Sequence, residues 1–330
     1  MSAGSISAAI VLTVLVGTLG GEPPVGVHEV AVSQGRRVAA LQPFAADSPW
    51  NTPIGSRVRF AAAGSPSTQE LTAEDGSEEI NSTTWSHPIF QASESDPLQE
   101  VDLESGQRLR YRIPQYAVPA DGEDAHLHVI EPQGRYVHEA WGMRRTGSST
   151  WFARHVVVVD LYGDGISGGA RAYGGSAIGG LIRRHEVDEG VIPHALALAV
   201  PRSDLRSGPV WPATLEDDGS VGTYKGDLPM GALVAIPPDV DLESLDLNDD
   251  ALAIARALQD YGAYVVDSSA QFTLYAEPGA DEQRLDDGRK ELDVLRRHLR
   301  VVENNTQEQP GGSGVKRRQS ALPLLGEAPS

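Results

Sequence analysis

The chain has no cysteine, and of its 27 basic residues only Lys225, Lys290 and Lys316 are lysines. Without a thiol there is no disulfide scaffold, no Cys-ligated zinc and no thiol nucleophile. The net charge is −19, so there is no basic excess to meet phosphates, and nucleic acid is excluded as a partner. Strings that announce common chemistries are missing too. The glycine-rich run 168–180 is not followed by Gly-Lys-Ser/Thr, which rejects a phosphate loop. Asp160-x-Tyr162-x-Asp164 and Asp246-x-Asn248-x-Asp250 lack the remaining ligands of an EF-hand.

Long hydrophobic runs are also scarce. The one at the start, Ala8 to Leu19, would span about 18 Å as a helix, short of the ~30 Å of a bilayer core. Residues 1–21 therefore read as a signal peptide or short anchor with no stable membrane span, although no Lys or Arg precedes Arg36. This places the protein outside the cell, secreted or on the surface.

What is present in excess is glycine and proline, 35 and 22 residues. That composition favours many short strands joined by turns. Period-two or β-branched stretches at 108–113, 126–130, 136–141 and 151–161 are separated by turn dipeptides such as Asp121-Gly122 and Gln133-Gly134. The expected fold is mainly β, an antiparallel sandwich or jelly roll with two or three peripheral helices. Two helices are predicted over 248–261 and 281–303 from apolar 3/4 spacing. A single β-rich domain would cover 22–303, with 304–330 a disordered tail and the protein a monomer. Within the domain, 61–107 holds ten acids and no Lys or Arg, which reads as solvated acidic loops between short strands or a lid.

The densest reactive set is Asp124-Ala125-His126-Leu127-His128, followed by His138-Glu139-Ala140-Trp141. On a strand Asp124, His126 and His128 would project together. Such a pair of imidazoles suits proton transfer, or a divalent metal on His126 and His128, the one cofactor the pattern leaves open. A structural polar face is the alternative for each residue singly. Glu139 beside Trp141 has the acid-and-indole pairing of a sugar cleft. His194 enters an apolar strand as a further candidate acid or base. Arg171, in the glycine-rich run, could take a substrate carboxylate, and Trp50 and Tyr173 add aromatic surface for substrate.

The stretches Ser48-Pro49-Trp50-Asn51-Thr52-Pro53-Ile54, 190–196 and 257–267 resemble exported, β-rich bacterial proteins of high-GC genomes, similar in general character to polysaccharide-active sandwich enzymes. The resemblance covers about residues 42–277. It implies an exported carbohydrate-active enzyme, a lyase or glycoside hydrolase acting on a polysaccharide. The alternatives are a non-catalytic glycan-binding or cell-surface module, and a metal-dependent enzyme built on His126 and His128.

Overall fold

Two alanine- and valine-rich stretches decide the centre of the structure. In the computed structural model, which describes residues 34–73 and 76–326, Leu196–Pro201 and Ala263–Ser269 pair in parallel, and 195–200 is buried throughout. A continuous apolar run is what a strand covered on both faces requires. Around this pair runs a six-stranded mixed sheet in the order Arg300–Val301, Leu233–Ala235, Ala263–Ser269, Leu196–Pro201, Thr273–Tyr275, Glu79–Asn81. The helix Asp249–Asp260 is capped by the Asn248 side chain, which accepts from the backbone N–H groups of Asp250 and Ala251, and it buries Ile254, Ala255 and Leu258.

Two four-stranded sheets complete the β framework. One has the order His155–Asp160, Tyr136–Trp141, Leu127–Ile130, Ile89–Gln91; the other runs Arg108–Arg112, Leu98–Leu103, Thr150–Ala153, Arg144–Arg145. Strand alternation splits the first sheet cleanly. Leu127, Val129 and Ala140 face a small core shared with Val101, Tyr111 and Trp151, while Ile130, Val137 and Val159 join the large core of the six-stranded sheet.

The expected fold is met in its β content and corrected in its arrangement. Eighteen strands and six short α-helices are present among the described residues, and the sheets are mixed rather than antiparallel. The central pair is one source of parallel pairing, and the acidic stretch supplies three more. Its three strands, Glu79–Asn81, Ile89–Gln91 and Leu98–Leu103, each enter a different sheet and each make a parallel pairing there. It is woven into the fold, and its acids meet arginines: Glu78 with Arg296, Glu79 with Arg289, Asp102 with Arg108.

The helix expected over 281–303 is two helices, Glu282–Arg289 and Leu292–His298, followed by the strand Arg300–Val301. Val302, which continues the helical spacing, instead bonds back to the Leu233 carbonyl at 2.8 Å. The tail read as disordered also takes part. Ser313–Lys316 pairs with Gly55–Arg57, Leu324 is buried, and the Arg37 guanidinium donates to the Leu322 carbonyl at 2.6 Å. Segment 1–21 lies outside the described residues. No helix of the described residues is long and apolar enough to cross a membrane.

The Arg296–Glu78 pair, 2.8 Å apart with both side chains buried, ties the last helix to the acidic stretch, and Arg296 also donates to the Leu71 carbonyl at 2.8 Å. Removing one partner leaves an uncompensated buried charge. Glu78→Gln should therefore lower the urea unfolding free energy by about 3 kcal/mol; a loss below about 1 kcal/mol, the range of surface pairs, would show that the tie is not structural.

Candidate functional site

Three histidines converge where the first four-stranded sheet meets the six-stranded one. Parallel pairing of Ile89–Gln91 with Leu127–Ile130 sets Ile89 beside His128, and the His128 N–H donates to the Pro88 carbonyl at 3.0 Å. This brings His87 against the His128 ring, with His87 Nδ1 3.0 Å from His128 Nε2. His126 completes the group. Its ring lies 4.4 Å from that of His87 and 5.8 Å from that of His128, centre to centre. All three are buried, and one donor nitrogen from each lies within 4.8 Å of the others.

His126 and His128 thus share a face as strand alternation predicts, but Asp124 does not join them. Ala125 has φ 39°, which breaks the alternation, and the strand begins only at Leu127. Asp124 instead accepts from the Trp141 indole N–H at 2.9 Å.

Burial dominates the electrostatics. It pushes the His126 ring down to about 4, against the pull of the Asp124 carboxylate, and the Arg171 charge lowers it further. His87 and His128 are held well below the usual histidine range by burial and by the same Arg171 charge, with their neighbouring imidazoles adding to it. Neutral imidazoles are the form that binds a metal. The buried Nδ1 atoms of His126 and His128 have no hydrogen-bond partner in the protein. The three nitrogens could hold a metal ion, and a cation of the zinc class would suit a donor set of neutral imidazoles.

Beside the histidines lies a second group. The Tyr275 ring stands edge-on to His87 at 5.6 Å, and the Arg171 guanidinium carbon sits 4.0 Å from the Tyr275 ring centre. Arg171 Nε is 3.4 Å from Asp267 Oδ2 and one Nη donates to the Ala177 carbonyl at 3.3 Å, which leaves the other Nη without a partner. Burial pushes the Asp267 carboxyl up to about 6, although Arg171 draws it down. Its side chain keeps 27% exposure, so it has a route to solvent.

The other sequence candidates fall elsewhere. Glu139 sits opposite His128 in register, but its carboxylate is occupied: it accepts from the Ser176 hydroxyl and from the N–H groups of Ala177 at 2.9 Å and Ala170 at 3.0 Å. It anchors the glycine-rich loop that carries Arg171. His194 is remote from the cluster, paired through Nε2 with Glu186 at 3.0 Å in a buried network with Arg183 and Glu277. Trp50 and Tyr173 are corrected from substrate surface to core: both are fully buried, pack edge to face at 6.1 Å and donate to the Gly165 carbonyl. Trp141 is half-buried, with Asp124 on its N–H and Arg154 over its ring.

His87, Asp267 and Tyr275 escaped the sequence reading. His87 stands 39 positions before His126 in the acidic stretch, and only the parallel pairing unites them. A local signal did exist, since His87 is the one imidazole in the Lys- and Arg-free segment 61–107. Comparison with protein-family models, curated proteins and solved structures finds no match for this chain.

The His194–Glu186 pair gives a pH signature. Burial works against the charged ring, but Glu186 and the Ala195 carbonyl outweigh it, so His194 is raised above its ordinary value. A raised value stabilises the fold fully below the unfolded-state value of about 6.5, and the gain fades as pH rises through the folded-state value. The stability difference between wild type and Glu186→Gln, followed by urea titration from about pH 5.5 to about pH 9, should be largest at the acid end and shrink towards the alkaline end. A difference constant with pH would show that the pair carries no charge.

Proposed function

We propose that the protein is a metal-dependent enzyme, exported from the cell, that cleaves a polysaccharide. The observation that carries the metal is the trio His87, His126 and His128: three buried imidazoles kept neutral, each with a nitrogen within 4.8 Å of the others. Three protein nitrogens leave a coordination position open, the pattern of catalytic rather than structural zinc. A bound cation of this class supplies Lewis-acid polarisation of a substrate oxygen or activation of water.

The chain's own residues have defined parts. Arg171, with one Nη free of a hydrogen-bond partner, donates from that nitrogen to a substrate oxyanion. Asp267, against Arg171 and within reach of solvent, takes the proton as its ionised carboxylate. Glu139 is a positioning residue, fixing the loop from which Arg171 extends. The two four-stranded sheets sharing one core support a sandwich-like reading of that half of the fold, the architecture in which the polysaccharide hypothesis began.

A second reading keeps the polysaccharide and drops the metal. The 3.0 Å contact between His87 Nδ1 and His128 Nε2 is hydrogen-bonding distance, so the pair can act as a relay in which one ring takes a proton from substrate as it passes its own to the other, as a histidine-based lyase would need.

Metal stoichiometry separates the two. The chelated protein should bind about one equivalent of Co²⁺, with a visible absorption band of low-coordinate cobalt, and His87→Ala should weaken that binding by at least about 100-fold, as expected when a ligand is lost. Across a polysaccharide panel read by reducing ends and by unsaturated-uronate absorbance, activity should vanish in chelator and return with Zn²⁺ or Co²⁺. Activity untouched by chelation would select the histidine-only reading; silence on every polymer, with retention on an insoluble glycan, would select the binding module.

Asp267 gives an independent check. Facing it are Arg171 and, from the neighbouring loop, Asp217, whose charge adds to the rise. Activity should fall as pH drops through about 6. That limb should disappear in Asp267→Asn together with most of the turnover, about 100-fold, the usual contribution of a general acid or base.

A further inference from the structure

Five tryptophans are present, and four have structural work. Trp50 and Trp151 are core residues, Trp141 is held by Asp124 and Arg154, and Trp211 is half-buried against the main core. Trp85 is different. Its side chain is 52% exposed, and its backbone lies in the left-handed region at φ 58°. A bulky residue rarely adopts that conformation, and such strain persists only where surrounding contacts impose it.

Those contacts are specific. The Trp85 N–H donates to the Asp121 carbonyl at 2.8 Å, and the Asn81 side-chain amide donates to the Thr84 carbonyl at 2.8 Å. The indole lies over Gly122, where an added Cβ would come within 2.7 Å of Nε1 and 2.8 Å of Cδ1, and Gly122 itself has φ 101°. Only glycine allows the ring this close. Burying half of an indole is a small return for a bulky residue held in this backbone conformation.

The position gives the reason. Trp85 is two residues from His87, so their Cα atoms are at most about 7.6 Å apart. The same two loops that fix the indole, 82–88 and 120–126, carry His87 and His126, and they are bonded to each other through Trp85 and Asp121. Of the four non-glycine residues with positive φ among the described residues, Trp85 and Ala125 flank two of the three histidines. Strain is concentrated at the rim of the proposed metal centre.

We infer that Trp85 is a stacking platform for an uncharged pyranose ring at the mouth of the three-histidine site. A flat apolar face with a polar edge matches the C–H face and hydroxyl rim of a sugar. The neighbouring rim residues choose the sugar's charge: Asp121 and Glu123 are exposed beside the platform, where they accept hydroxyls and repel carboxylates. With −19 on the whole chain and only Arg171 placed for an anion at the centre, a polymer charged at every unit is disfavoured. The inference rests on the polysaccharide reading and narrows it to a glycan whose ring at this position is neutral.

The experiment uses Trp85→Gly in the full chain. Glycine suits φ 58°, so the variant should unfold at a temperature equal to or about 2 °C above wild type. Neutral hexaoses of the cello, manno and xylo series are titrated by isothermal calorimetry, with polygalacturonate as the polyanionic probe. At least one neutral series should bind the wild type, with Trp85→Gly about tenfold weaker, the scale of one aromatic stacking contact. Polygalacturonate should bind less well than that neutral series. The inference is overturned if no neutral series binds, if Trp85→Gly binds as wild type does, if polygalacturonate binds best, or if the substitution lowers the unfolding temperature by several degrees, which would make Trp85 a folding residue. Repeating the titration with His87→Ala keeps the two readings apart: sugar binding that survives loss of Co²⁺ binding upholds the platform, and Co²⁺ binding without sugar binding upholds only the metal centre.

Discussion

A carboxylate taken out of water must be met by donors, and much of the site follows from how this is done at Glu139. Its oxygens collect the Ser176 hydroxyl and the N–H groups of Ala170 and Ala177, so the glycine-rich run folds around a charge fixed in a strand. Burial still raises its affinity for a proton, which these hydrogen bonds counter. The loop can close so tightly because it has glycine where its two arms meet: a Cβ at Gly169 would strike the Gly175 carbonyl at 1.9 Å. The result is that Arg171 reaches a buried position under Tyr275, where its charge depresses all three imidazoles. Glu139, His128 and Arg171 are one device, joined by the register that sets Glu139 opposite His128.

Arginine repeats this role through the molecule. Arg183 joins Glu277 to the Leu41 carbonyl, Arg296 joins Glu78 to the Leu71 carbonyl, and Arg37 collects the carbonyls of Gln42, Phe44 and Leu322. Each fork satisfies several acceptors from one fixed plane, which a lysine ammonium does less well. The preference for arginine over lysine in the composition is therefore structural. Much of the acidic excess in 61–107 is its counterpart, and of the two readings of that stretch, short strands with acidic loops or a lid, the strands are present, one in each of three sheets.

Local pattern carried the reading where contacts are local. The strands near 108, 127, 136 and 151 and the helix Asp249–Asp260 fall where alternation and capping place them. The shared face of His126 and His128 is also legible from their spacing. What failed was non-local. No periodicity reveals that Ile89–Gln91 pairs in parallel with Leu127–Ile130, so His87 remained hidden. An isolated histidine in an apolar strand reads alike whether it faces a site or, as His194 does, a buried glutamate. Trp50 and Tyr173 misled because an aromatic signals a core and a sugar platform equally well, and only burial distinguishes them from Trp85.

The bond from Arg37 to the Leu322 carbonyl and the burial of Leu324 join residues separated by about 285 positions. The edge strand Arg300–Val301 and the ribbon between Gly55–Arg57 and Ser313–Lys316 likewise draw on the last part of the chain. Contacts of such long range are slow to form because loop closure precedes any gain from them. A chain emerging vectorially from a ribosome therefore cannot complete its central sheet until the segment carrying Arg300–Val301 has emerged, long after the strands it joins.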